Sequence, residues 1–132
     1  MQQMKRWLQA AALCAVVSTG TGRAAVTEDS FLIRSTGDLV DLCSAAQPDP
    51  LYTASINFCH GFGVGVFRVL EEQDMARRSR HMFCLPNPAL TRNEALASFL
   101  QWAKANPDQM AQPATDGIAQ FLIQTYPCQR GH

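Results

Sequence analysis

Residues 50–73 read PLYTASINFCHGFGVGVFRVLEEQ, and the spacing inside this run decides the fold class. Tyr52, Ile56, Cys59, Gly63, Val66, Phe67 and Leu70 step by fours and threes, which stacks them on one face of a helix opening at Pro50 and running to about Gln73. The glycines Gly61, Gly63 and Gly65 resemble a dinucleotide-binding turn only superficially. No strand precedes them and the final spacing of that fingerprint is missing. At helical spacing Gly61 and Gly65 share a face, and bare backbone there is expected to let a neighbouring chain segment come close. Each glycine costs a helix up to about 1 kcal/mol relative to alanine.

Working outward, Ser35-Thr36-Gly37-Asp38 offers capping side chains ahead of Leu39, Val40, Leu42 and Cys43, a first helix that ends near the Gln47-Pro48-Asp49-Pro50 breaker. Downstream, Asp74 to Pro88 carries Arg77, Arg78, Arg80 and His81, then Cys84, Pro86 and Pro88, a composition that suits a loop. Thr91 and Glu94 form a capping box before Ala95, Leu96, Phe99, Leu100 and Ala103, and Pro107 stops that helix. Pro113 suits the first turn of a fourth helix with Ile118, Phe121, Leu122 and Tyr126 as its apolar stripe, until Pro127. The reading is all-α, a small four-helix domain over residues 35–128 preceded by an extension, 25–34.

The first 24 residues do not belong to that domain. Lys5 and Arg6 give a positive start, Trp7 to Val17 is apolar except for Gln9, and Ser18 to Ala25 is small and turn-prone, the pattern of a secretory signal peptide cut after Ala24. The apolar run is well short of the roughly 20 residues that span a bilayer, so no stable membrane anchor is expected. Eleven basic and eleven acidic residues balance in the whole chain, and loss of Lys5, Arg6 and Arg23 leaves the exported chain at −3. No field of this sign holds nucleic acid.

Cleavage also removes Cys14, leaving Cys43, Cys59, Cys84 and Cys128. An even number of cysteines in a small exported chain points to disulfides. If the first two helices form an antiparallel hairpin about the Pro48–Pro50 turn, Cys43 faces Cys59, and Cys84 is left to pair with Cys128. Other uses of these residues fit less well. Cys59-His60 lacks the upstream cysteine of a haem attachment site, Ile56 standing there, and the paired short spacings of a structural zinc domain are missing around His81 and Cys84. A catalytic thiol would have to escape pairing in an oxidising compartment, and no serine-hydrolase, metalloprotease or phosphate-loop motif is present. No cofactor or catalytic residue is expected.

The cluster Arg77-Arg78-Ser79-Arg80-His81 reads either as a solvated loop or as a contact for carboxylates on another protein, since guanidinium groups grip carboxylates in a bidentate fork. The nearby Glu71-Glu72-x-Asp74 run is placed to neutralise it within the molecule. The Gln47 to Leu51 turn is the second loop on which recognition is expected.

Five elements in one order carry a resemblance: Ser35-Thr36-Gly37-Asp38-Leu39 leading to Leu42-Cys43; Cys59-x-Gly61-Phe62-x-x-Gly65-Val66; Phe83-Cys84-x-Pro86; a helix ending at Asn106-Pro107; and Tyr126-Pro127-Cys128. Over residues 35–128 the chain resembles the Rap/Tai family of immunity proteins associated with type VI secretion amidases. It departs from the family pattern at Phe62, usually tyrosine, and at Asn106-Pro107, often histidine-proline. The resemblance implies a periplasmic helical protein, often a homodimer, that binds a peptidoglycan amidase effector and occludes its cleft, with no turnover of its own. Two other classes compete with it. One is an orphan periplasmic binding protein or acid-stress chaperone, for which the sequence offers only three histidines, His60, His81 and His132. The other is a small thiol enzyme.

Overall fold

The first and third helices start by the same device. In the computed structural model, which describes residues 22–78 and 80–129, Ser35 Oγ accepts the Asp38 N–H at 3.1 Å while the Asp38 carboxylate accepts the N–H groups of Arg34 and Ser35. Thr91 and Glu94 repeat the exchange, Thr91 Oγ1 accepting the Glu94 N–H at 3.2 Å and the Glu94 carboxylate accepting the Thr91 N–H at 2.8 Å. Backbone donors hold both carboxylates below their ordinary range, first the N–H of Ser35 for Asp38 and that of Thr91 for Glu94. Such caps stabilise a helix by about 1 kcal/mol each.

Four helices result among the described residues: α1 Thr36–Cys43, α2 Tyr52–Met75, α3 Arg92–Ala105 and α4 Ala114–Thr125. Single turns of 3-10 helix stand at Glu28–Phe31 and Pro107–Gln109, and no strand forms among the described residues. The all-α reading holds. The signal segment proposed for residues 1–24 lies outside the described residues except for Gly22–Ala24. In the 25–34 extension Phe31 packs edge-on against Phe58 at 5.5 Å, and the Val26 N–H reaches Asp49 at 2.7 Å.

Two prolines sit differently from expectation. α2 begins at Tyr52 rather than Pro50, because Asp49 takes the Leu51 N–H at 2.8 Å and keeps Pro50 in the turn. Pro113 lies just outside α4 in extended geometry, since the chain there pairs with Ser35 in an antiparallel bridge. That bridge belongs to a longer seam. Thr36 N–H donates to Gln112 O at 2.7 Å, Gly37 N–H to Met110 O at 2.9 Å, and the Thr36 hydroxyl to the carbonyl oxygens of Gln112 and Pro113. Every polar atom Thr36 brings into the interior is therefore matched, which lets a fully buried hydroxyl persist there.

Behind the seam, Leu39 and Leu42 of α1 meet Phe99 and Trp102 of α3 and Ile118 and Phe121 of α4, all buried. Phe99 and Phe121 meet edge to face at 5.5 Å, and the Trp102 indole N–H is satisfied by Gln124 Oε1 at 2.8 Å. α4 comes this close because Gly117 faces Thr36, where a Cβ would fall 2.9 Å from the threonine Cβ. The close approach expected at Gly61 and Gly65 does not occur: a Cβ at either, or at Gly63, would meet nothing within 4 Å. Gly61 and Gly65 lie along the outer face of α2, where no helix among the described residues packs over them, whereas Gly63 borders an open space inside the fold. Of the apolar stripe read on α2 only Cys59 is buried, while Tyr52, Ile56, Phe67 and Leu70 are half-buried.

Both cysteine pairs form as read, Cys43 with Cys59 across the α1–α2 hairpin at a Cα separation of 5.6 Å, and Cys84 with Cys128 at 4.9 Å. The first lies in the core and the second near the surface, where the Cys84 N–H also donates to Tyr126 O at 2.8 Å.

Candidate functional site

The segment after α2 carries the cationic cluster, and one carboxylate organises it. α2 runs two residues beyond the expected end at Gln73, placing Asp74 in its last turn with only 5 % of its surface exposed. Its Oδ1 accepts the Met82 N–H at 2.6 Å and its Oδ2 meets His81 Nδ1 at 2.9 Å. The Met82 N–H, ahead of the histidine and Arg77, holds the Asp74 carboxyl below the usual aspartate range, so it is ionised and can only accept. His81 Nδ1 is then the protonated ring nitrogen. A buried carboxylate thus closes the loop from Arg77 to His81 back onto the helix that it leaves.

The sequence offered Glu71, Glu72 and Asp74 together as internal counter-charge for the arginines. The structure divides the work. Asp74 takes His81, Glu71 takes Arg68 in an exposed pair one turn earlier on α2, and Arg77, Arg78 and Arg80 stay exposed without an ion pair among the described residues. His81 therefore braces the loop, and the three guanidinium groups make no hydrogen bond to any other of the described residues. The Gln47–Leu51 turn is also held by a single carboxylate, Asp49, which ties it to both Leu51 and Val26.

Below the loop, Phe83 is buried and packs against Phe67 at 6.1 Å, and the disulfide at Cys84 fixes the next residue to the end of α4. The basic loop is in this way anchored at both ends, by Asp74 on one side and by Phe83 with Cys84 on the other. Anchoring at both ends lowers the conformational entropy that a partner has to remove on binding.

A second feature escaped the sequence altogether. Between α2, α3 and α4, with residues 85–91 along one edge, lies a cavity of about 380 Å³ walled by Leu39, Phe67, Leu96, Phe99, Phe121 and Leu122. Cys43, Cys59 and His60 also face it. These residues come from four helices, Leu39 and Cys43 being on α1, at unrelated sequence positions, so no local pattern announces them. The described residues contain no group of three or more histidines, cysteines or acids able to hold a metal ion, and no helix among them is long and apolar enough to cross a membrane.

Searches of the curated proteins and of the solved structures each found no significant match. A family model does match, that of the Rap1a immunity proteins, over residues 35–128, the span from the Ser35 cap to the second disulfide. With all four helices and both cystines inside the matched span, the chain belongs to the Rap1a immunity protein family.

Proposed function

We propose that this immunity protein is exported to the periplasm and there binds and occludes a peptidoglycan amidase effector delivered by a type VI secretion system. The basic loop carries this reading: Arg77, Arg78 and Arg80 stand exposed and without ion pairs among the described residues on a segment pinned by Asp74 and Cys84. Guanidinium groups so presented complement carboxylates around an enzyme cleft, and charge of opposite sign across an interface speeds encounter and fixes register. Two cystines suit an oxidising compartment and a signal peptide over residues 1–24 supplies the route, while membership of an immunity family favours binding over turnover. A homodimer would cover the outer face of α2, where Val69 is 54 % exposed beside the open glycines.

Mixing the purified protein with candidate cell-wall amidases tests the proposal directly. Stoichiometric inhibition is expected, and replacement of Arg77, Arg78 and Arg80 together by alanine should weaken the complex at least about tenfold, most of it at low salt. Full amidase activity in the presence of excess protein counts against the amidase target. Inhibition that survives the triple replacement moves the contact elsewhere.

A further inference from the structure

The cavity between α2, α3 and α4 is apart from the basic loop and plays no part in the immunity reading. Its wall is mostly aliphatic and aromatic, with a few polar groups among them. His60 Nε2 is buried without a hydrogen-bond partner, the sole such side-chain atom among the described residues. A buried polar atom in a folded protein is normally matched, and when the protein does not match it a ligand or water does. The other polar groups facing the cavity are already engaged, the Tyr126 hydroxyl with Ser98 Oγ at 3.3 Å and Thr91 Oγ1 with the Glu94 carboxylate at 2.7 Å.

Two cations border the same space. Arg68 is paired with Glu71, whereas Arg92 is exposed and makes no ion pair among the described residues. Val64 and Leu85, each 40 % exposed, continue the apolar surface out to solvent. The frame is rigid: the Cys43–Cys59 bridge forms part of the wall, and the Cys84–Cys128 bridge ties the start of the edge segment 85–91 to the chain just past α4. Gly63 keeps the volume open, because a side chain there would project into space empty to 4 Å. An apolar interior in the size range of small-molecule sites, one unmatched ring nitrogen and an unpaired guanidinium together complement a molecule with an apolar body and a single anionic end.

We propose that this cavity binds a small amphiphile, an aliphatic monocarboxylate whose chain lies among Phe67, Leu96 and Phe121 and whose carboxylate is taken by His60 and Arg92. The site is preformed, so binding needs no rearrangement of the helices.

Calorimetric titration of the purified protein with dodecanoate below its micellar concentration, against dodecyltrimethylammonium as the chain-matched cation, reads the proposal. Saturable one-to-one binding of dodecanoate is expected, with the cation at least about tenfold weaker. Gly63→Leu fills the cavity and should abolish dodecanoate binding while circular dichroism and thermal unfolding stay native and amidase inhibition is unchanged. Arg92→Gln should bring carboxylate and cation to within about threefold of each other, a readout that stands even where Gly63→Leu folds poorly. No saturable binding to the unaltered protein, equal affinity for the two head groups, or undiminished binding in a natively folded Gly63→Leu protein overturns the assignment. So does a Gly63→Leu protein that keeps dodecanoate but loses amidase inhibition, which gives the cavity to the protein partner instead.

Discussion

The α1–α4 seam and the outer half of α2 are built from similar residues to opposite ends. At the seam Gly117 is buried against Thr36, and the N–H and hydroxyl of that threonine both donate to carbonyl oxygens. On α2, Gly61 and Gly65 face open space and Val69 and Met75 are exposed. Glycine in a helix has therefore no single meaning in this molecule. In one place it is a steric requirement, and in the other it is a helix weakened by about 1 kcal/mol per residue with nothing gained inside the monomer. The seam makes the body stiff, while the α2 face and the loop beyond it stay exposed.

Breaking the covalent frame gives the largest effect. The bridges close sequence separations of 16 and 44 residues, and replacing either cysteine pair by alanine should cost about 3–5 kcal/mol by chain entropy, read by chemical denaturation. The two variants should part company in function. Loss of Cys84–Cys128 releases the end of the basic loop and so weakens effector binding beyond its effect on stability, whereas loss of Cys43–Cys59 acts through stability alone.

The glycines sharpen the contrast. Gly117→Ala should destabilise by about 1–3 kcal/mol, since the added methyl overlaps Thr36 in a packed seam that cannot give. Gly61→Ala and Gly65→Ala should each stabilise the isolated protein by about 0.5–1 kcal/mol. Thermal unfolding of the three variants decides it, and a loss of stability at Gly61 or Gly65 that depends on protein concentration would place a second copy against that face.

The smallest effect concerns Asp74. Its carboxyl titrates below the ordinary aspartate value of 3.8, so its contribution is present above that pH and fades as pH falls through the native value. Protection of the Met82 amide, its hydrogen-exchange rate taken relative to the intrinsic rate at the same pH, should therefore fall in acid. In Asp74→Asn, which keeps an acceptor but loses the charge, that acid dependence should flatten with a change in global stability below about 1 kcal/mol.

Most of the frame was readable because it rests on local signals. The boxes at Ser35–Asp38 and Thr91–Glu94 need only four residues each, the stripe Ile118, Phe121, Leu122 needs one helix, and the cysteine pairing followed from a single hairpin. What escaped involves partners far apart in sequence. Nothing near Gly117 announces Thr36, and nothing near Gly61 reveals that no helix covers it, so the sequence placed the close approach at the wrong glycines. The cationic loop was visible by composition. Its brace was visible only as one of three acidic residues, and helix phase singles out Asp74 by turning it inward while Glu72 stays exposed.

The threonine that opens the domain finds its acceptors 76 and 77 residues further along, almost at the last helix. A chain still emerging from its point of synthesis, or cut short before Gln112, has no means of closing that joint, and its first helix is left with a bare hydroxyl and no lid. Maturation of this fold is thus a late event, and the body becomes rigid only once nearly the whole domain is present.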